Sequence, residues 1–236
     1  MKKMIVCIVC TLLSFTSKAQ SVIGAWETFA TSENGDNLKS VVIFAYGYQV
    51  LTVYNATTGE FIHSNGGTWK LDEDIMTEKV EFHTDNSERV GTEVSFKVKV
   101  NTSTLEIVGS GQKFTKIDNG TPGELQGAWL MSGRISEGKT QLRETSRPRK
   151  TMKILSGTRF QWIAYDTETK QFMATGGGTY TTMNDEYTEN IEFFSRDFSK
   201  VGLSLKFNYK LIDGKWHHSG FSSKGDPINE IWSLRK

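Results

Sequence analysis

The chain predicts an all-β protein made of two tandem antiparallel units, and three observations lead there. The first is an internal duplication. Shifted by 111 residues, Lys39–Lys113 lies on Lys150–Lys224 without a gap and with 19 identical residues, which marks two copies of one structural unit. The second is alternation. Val94, Phe96, Val98 and Val100 alternate with Ser95, Lys97 and Lys99, and Leu205, Phe207, Tyr209 and Leu211 with Lys206, Asn208 and Lys210. That is a half-buried strand written twice. The third is that no stretch sustains an i, i+3, i+4 apolar pattern, so no helix has a face to bury.

Residues 1–19 precede the duplicated part. Lys2 and Lys3 come before an apolar run from Met4 to Phe15, and small residues follow, ending Ser17-Lys18-Ala19. This is the pattern of a secretory signal peptide, and the run is shorter than the roughly 20 residues a membrane span needs. Cleavage is expected after Ala19, with a secreted or periplasmic product. Cys7 and Cys10 would leave with the leader, so the mature chain would hold no disulfide and rest on burial alone. The formal charge of +1 becomes −2 once the three leader lysines are removed. Neither value attracts nucleic acid or an anionic membrane.

The two repeats are expected over residues 20–119 and 120–236. Gly24-Ala25-Trp26 recurs as Gly127-Ala128-Trp129 at an offset of 103, so the second copy carries eight extra residues before Lys150. The seam, Asp118-Asn119-Gly120-Thr121-Pro122-Gly123-Glu124, is a short cluster of turn formers, and units so closely joined are expected to touch. Within each repeat, Met76, Glu78, Val80 and Phe82 share one strand face by parity, as do Tyr187, Glu189, Ile191 and Phe193. Asn34-Gly35, Thr58-Gly59 and Asp213-Gly214 read as hairpin turns. Gly66-Gly67 and Gly176-Gly177-Gly178 sit inside strand patterns with no helix or lysine after them. They read as a bulge or barrel corner rather than a phosphate cradle. Turn spacing gives about eight strands per repeat, which suggests an up-and-down barrel or a sandwich.

A Gly-x-Trp opening the first strand of such a unit resembles the lipocalins and the wider calycin group, which implies two tandem lipocalin-like antiparallel barrels of about eight strands each. It is also similar to lipocalin-like domains of unknown function in secreted proteins of Gram-negative bacteria. The resemblance implies a basic residue from the last strand packed over that Trp: Arg235 for Trp129, and Lys113 or Lys116 for Trp26. It further implies a binding protein for a small, partly apolar molecule.

Comparing the repeats points to repeat 2 as the place for a ligand. On the inferred inner faces Met76 becomes Tyr187, Val98 becomes Tyr209, Ile107 becomes His218 and Trp69 becomes Tyr180. Apolar walls carrying a few polar groups are typical of small-molecule sites; the alternative is that these groups bond to one another. Glu78 and Glu189 fall on the apolar face and must find a donor or take a raised pKa. Glu189 is expected to hold a ligand's polar end, or to act as a base with His218, or to serve as a structural carboxylate. The basic insertion Ser132–Lys150, with Arg147 and Arg149, lies where lipocalins carry the loop over the cavity mouth and could receive an anion. The four histidines lack metal-ligand spacing, and no nucleophile–base signature is present. The expected function is therefore non-enzymatic binding of a small, partly apolar, anionic ligand, without cofactor. The other reading is an interaction module with filled barrels that meets a protein partner.

Overall fold

The computed structural model describes residues 22–121 and 123–235; the expected leader and its cleavage point lie outside them. In the first repeat the strands are β1 (Gly24–Thr31), β2 (Asn37–Ala45), β3 (Tyr48–Asn55), β4 (Phe61–Asp72), β5 (Ile75–His83), β6 (Glu93–Val100), β7 (Thr104–Ile107) and β8 (Lys113–Asp118). Each is antiparallel to the next, and β8 returns to β1 to close a barrel. The second repeat contains β9 (Gly127–Ser136), β10 (Lys139–Leu142), β11 (Arg149–Leu155), β12 (Arg159–Asp166), β13 (Gln171–Met183), β14 (Glu186–Phe194), β15 (Ser204–Ile212), β16 (Lys215–Phe221) and β17 (Pro227–Leu234). It closes through β9–β17. The basic insertion supplies β10, an extra strand hairpinned onto β9 outside the eight-stranded ring.

The glycine pairs are β-bulges, and they change which side chains face inward. Gly67 pairs with Val80 and Gly66 with Phe82, which leaves Glu81 as an extra residue in β5. In β13 and β14, Gly178 pairs with Ile191 and Gly177 with Phe193, leaving Glu192. One extra residue inverts the alternation beyond it. Phe82 and Phe193 therefore point out of their barrels, which corrects the single strand face expected from parity. Glycine is needed because the strands close in: a Cβ would lie 1.9 Å from the Lys79 carbonyl oxygen at Gly67 and 2.0 Å from that of Asn190 at Gly178.

Three apolar clusters result. One fills part of barrel 1 around Trp26, Val42, Phe44, Met76, Val98 and Phe114. A second fills barrel 2 around Trp129, Tyr187, Phe207, Trp216 and Trp232. The third lies between the barrels and draws on outward faces of both, with Val41, Ile43, Tyr54 and Phe82 against Met152, Ile154, Tyr165 and Phe193.

Around this third cluster the two repeats clasp each other reciprocally. Tyr54 donates to Glu192 at 2.5 Å, and its repeat-2 counterpart Tyr165 donates to Glu81 at 2.5 Å. Glu81 and Glu192 are the two bulge residues. An arginine backs each pair: Arg235 reaches Glu81 at 2.7 Å, and Arg159 reaches Glu192 at 2.7 Å. The two Tyr–Glu contacts are copies of each other, the logic of a two-fold dimer interface within one chain, while both arginines come from repeat 2. At the seam, Asp118 accepts hydrogen bonds from Ser156, Gly157 and Thr158 of the β11–β12 turn.

Among the described residues, the basic residue over the first-strand tryptophan is present in one repeat only. Lys116 Nζ lies 4.5 Å from the Trp26 ring centroid. Arg235 does not do the same for Trp129. β17 places Leu234 beside Trp129, and successive strand residues face opposite ways, so Arg235 turns out to Glu81 and the Tyr48 ring.

Candidate functional site

Glu189, Tyr187, Tyr209, His218 and Tyr180 all lie in the interior of barrel 2, where they are packed and largely paired. The Tyr180 hydroxyl donates to the Ser156 carbonyl at 2.6 Å and Tyr209 to Glu124 at 3.1 Å. His218 is 1% exposed, sits 3.2 Å from Glu230, and lies tilted against the Phe207 ring with centroids 4.3 Å apart. Burial first, then the Lys153 charge, lowers the pKa of His218 and keeps the ring neutral at pH 7. Tyr187 contacts Tyr180, Phe207, Trp216 and His218 through ring centroids 5.2–6.1 Å apart. Its hydroxyl, Trp216 Nε1 and His218 Nε2 are buried without a hydrogen-bond partner among the described residues.

At the centre is a residue the sequence reading passed over. Lys153 donates to Glu189 at 2.7 Å, and both side chains are almost fully buried. Its ammonium also lies 5.1–5.6 Å from the ring centroids of Tyr187, Phe207, Trp216 and Trp232, a cation–π cage. A signal was available: Lys153 stands between Met152 and Ile154 in a strand apolar on both faces, where a charge needs a partner. The Lys153 ammonium thus occupies the Glu189 carboxylate that a ligand or a base would use.

Arg147 is exposed on the connection after β10, and Arg149 is exposed at the first position of β11. Arg147 pairs with Glu144 at 3.5 Å, while neighbouring Arg143 and Lys150 donate to loop carbonyls. This loop bonds to itself on the outside of the barrel.

Open space is found in barrel 1. A cavity of about 210 Å³ runs down its axis, lined from all eight strands. Its floor holds buried Trp26, Leu105 and Phe114, and it reaches the surface at exposed Arg89 and Gln112. The repeats explain why one barrel is hollow. At matched inward positions barrel 1 has Val42 for Lys153, Gln49 for Phe160, Leu51 for Trp162, Met76 for Tyr187, Leu105 for Trp216 and Phe114 for Trp232. Phe44 for Leu155, Trp69 for Tyr180 and Asn65 for Gly176 run the other way. Interiors pack to near-crystal density, so volume removed from this many facing positions leaves a cavity.

One acid faces that cavity. Glu78 is the counterpart of Glu189, but Val42 stands where its lysine would be. No hydrogen bond or ion pair to its carboxylate forms among the described residues. Burial pushes its pKa up to about 7, and Arg89 pulls only partly against that. His83, turned inward by the bulge, lines the same space and meets His63 at 4.8 Å between ring centroids. Among the described residues no three His, Cys, Asp or Glu side chains group to hold a metal.

A wider cleft of about 1030 Å³ lies between the barrels, lined by Tyr46, Trp69 and Arg235 among others. Two of its polar groups are engaged: Trp69 Nε1 donates to the Ala45 and Tyr48 carbonyls and Arg235 holds Glu81.

Residues 124–234, spanning every strand of repeat 2, match a family described as a domain of unknown function, DUF4488. No curated protein matches the chain. No helix among the described residues is long and apolar enough to cross a membrane.

Proposed function

We propose that the protein is an exported, non-enzymatic binding protein that holds a small, mostly apolar molecule inside barrel 1, with barrel 2 as its rigid support. The observation that carries this is the 210 Å³ cavity whose mainly apolar walls carry Gln49, Asn65, His83 and one largely buried carboxylate. Cavities of about 150 Å³ hold benzene, which puts the ligand near the size of a single substituted ring. Glu189 and His218, the pair a catalytic reading would use, are 4% and 1% exposed in a packed interior, which favours binding over catalysis. Export is supported by the composition of residues 1–19. An anion held by Arg147 and Arg149 has less support, since that loop bonds to itself.

Native mass spectrometry of protein purified from its own host tests the reading. Wild type is expected to carry a small molecule, and Leu105→Trp, which installs the barrel-2 residue, is expected to lose it. Equal retention by Leu105→Trp would place the ligand elsewhere.

A further inference from the structure

The two barrels are one design in two states, and the filled one indicates what the hollow one takes. In barrel 2 a carboxylate on β14, Glu189, receives a primary ammonium at 2.7 Å, delivered on the four-carbon stem of Lys153. Rings surround that ammonium. In barrel 1 the carboxylate persists as Glu78 on β5, while the tethered amine is replaced by Val42 and the surrounding volume is opened.

We propose that barrel 1 binds a small primary amine with an apolar body, its ammonium paired with Glu78 as Lys153 pairs with Glu189. This rests on the reading of barrel 1 as the binding site and names the class of ligand for it. A carboxylate facing an apolar cavity is destabilised unless a cation or donor meets it. A cation entering such a space gains most from a carboxylate that water no longer screens. Two of the four cage rings remain, since Phe96 and Phe114 stand where Phe207 and Trp232 stand. The other two become Met76 and Leu105, so room is freed on the side where a ligand's own hydrocarbon or ring would lie. Among the cavity-lining residues Arg89 is the one fixed cation. It is exposed at the mouth, so solvent screens its repulsion of an entering ammonium.

The test is isothermal titration calorimetry of the full chain with 2-phenylethylamine, 2-phenylethanol and 3-phenylpropionate. At about pH 8 Glu78 is ionised and the amine still protonated. The amine is expected to bind wild type at least about tenfold tighter than the alcohol, and the carboxylate more weakly than either. Glu78→Gln should lose that preference while keeping alcohol affinity, and Val42→Lys, by supplying the ammonium internally, should exclude both. If the alcohol binds as tightly as the amine, or Glu78→Gln keeps full amine affinity, the amine assignment is overturned and the cavity reading stands. A preference for 3-phenylpropionate overturns it likewise. If wild type binds none of the three, the cavity reading falls with it. Should Val42→Lys not fold, the Glu78→Gln arm decides alone.

Discussion

Lys153 and Glu189 are worth most when left together. Each would be a buried, uncompensated charge without the other, and removing one partner of such a pair costs about 3–5 kcal/mol, far more than the pair itself contributes. Lys153→Met is therefore expected to destabilise the protein by about that amount in urea denaturation, and Lys153→Met/Glu189→Leu to recover most of it. A Lys153→Met cost below about 1 kcal/mol would mean the pair is not desolvated. Glu78 gives the opposite residue-scale prediction. Its pKa rises from the ordinary carboxyl value to about 7 in the folded chain, so the native state holds a proton the unfolded state has released. Stability from this group is complete below about pH 4.5 and is lost as pH rises through 7. Wild type minus Glu78→Gln, measured from pH 4 to 8, should show that slope, while the opposing contribution of His218 cancels in the difference. The amplitude is about 2 kcal/mol, less than the full pKa shift implies because the carboxylate keeps some contact with solvent through the cavity. A flat difference would show that Glu78 has an ordinary pKa.

At the scale of elements, the bulges in β5 and β14 join barrel and interface. The extra residue in each is the glutamate that the other repeat's tyrosine grips, and the next aromatic, Phe82 or Phe193, joins the inter-barrel cluster. Identical residues at these positions in both repeats thus serve the contact between barrels as much as either barrel. Gly178→Ala is expected to cost about 1–3 kcal/mol in chemical denaturation, because a Cβ there meets the Asn190 carbonyl of the neighbouring strand and the backbone must move. A neutral substitution would show that the bulge can open without penalty.

Over the whole molecule, the barrels behave as a permanent dimer in one chain. Their shared cluster buries apolar side chains of both, a buried Thr52–Gln161–Ser64 network crosses beside it, and the reciprocal Tyr–Glu contacts are largely desolvated, which holds the pKa of Tyr165 far above its usual value, through burial first and the Glu81 charge second. Differential scanning calorimetry is expected to show one transition rather than two. Tyr165→Phe should lower that single transition by about 1.5–3 kcal/mol, the usual worth of a hydrogen bond to a charged group. Two separated transitions would mean each barrel folds independently of the other.

Legible from the chain alone were the duplication, the strand content and the number of strands per repeat, because repetition and period-two alternation are properties of neighbouring residues. The same alternation placed Glu78, Glu189, Tyr187 and His218 inside their barrels. It failed at Phe82 and Phe193, since one unpaired residue inverts parity and nothing local marks where the partner strand skips it. Arg235 was expected over Trp129 for a similar reason, its direction being set by the register of β17 on β9. The hollow barrel was hidden most deeply. Polar tips drew attention to repeat 2, but a cavity is a sum of volumes over side chains from eight strands, and only closure of the ring sets Val42, Met76, Leu105 and Phe114 facing one another across the space that Lys153, Tyr187, Trp216 and Trp232 fill in the other repeat.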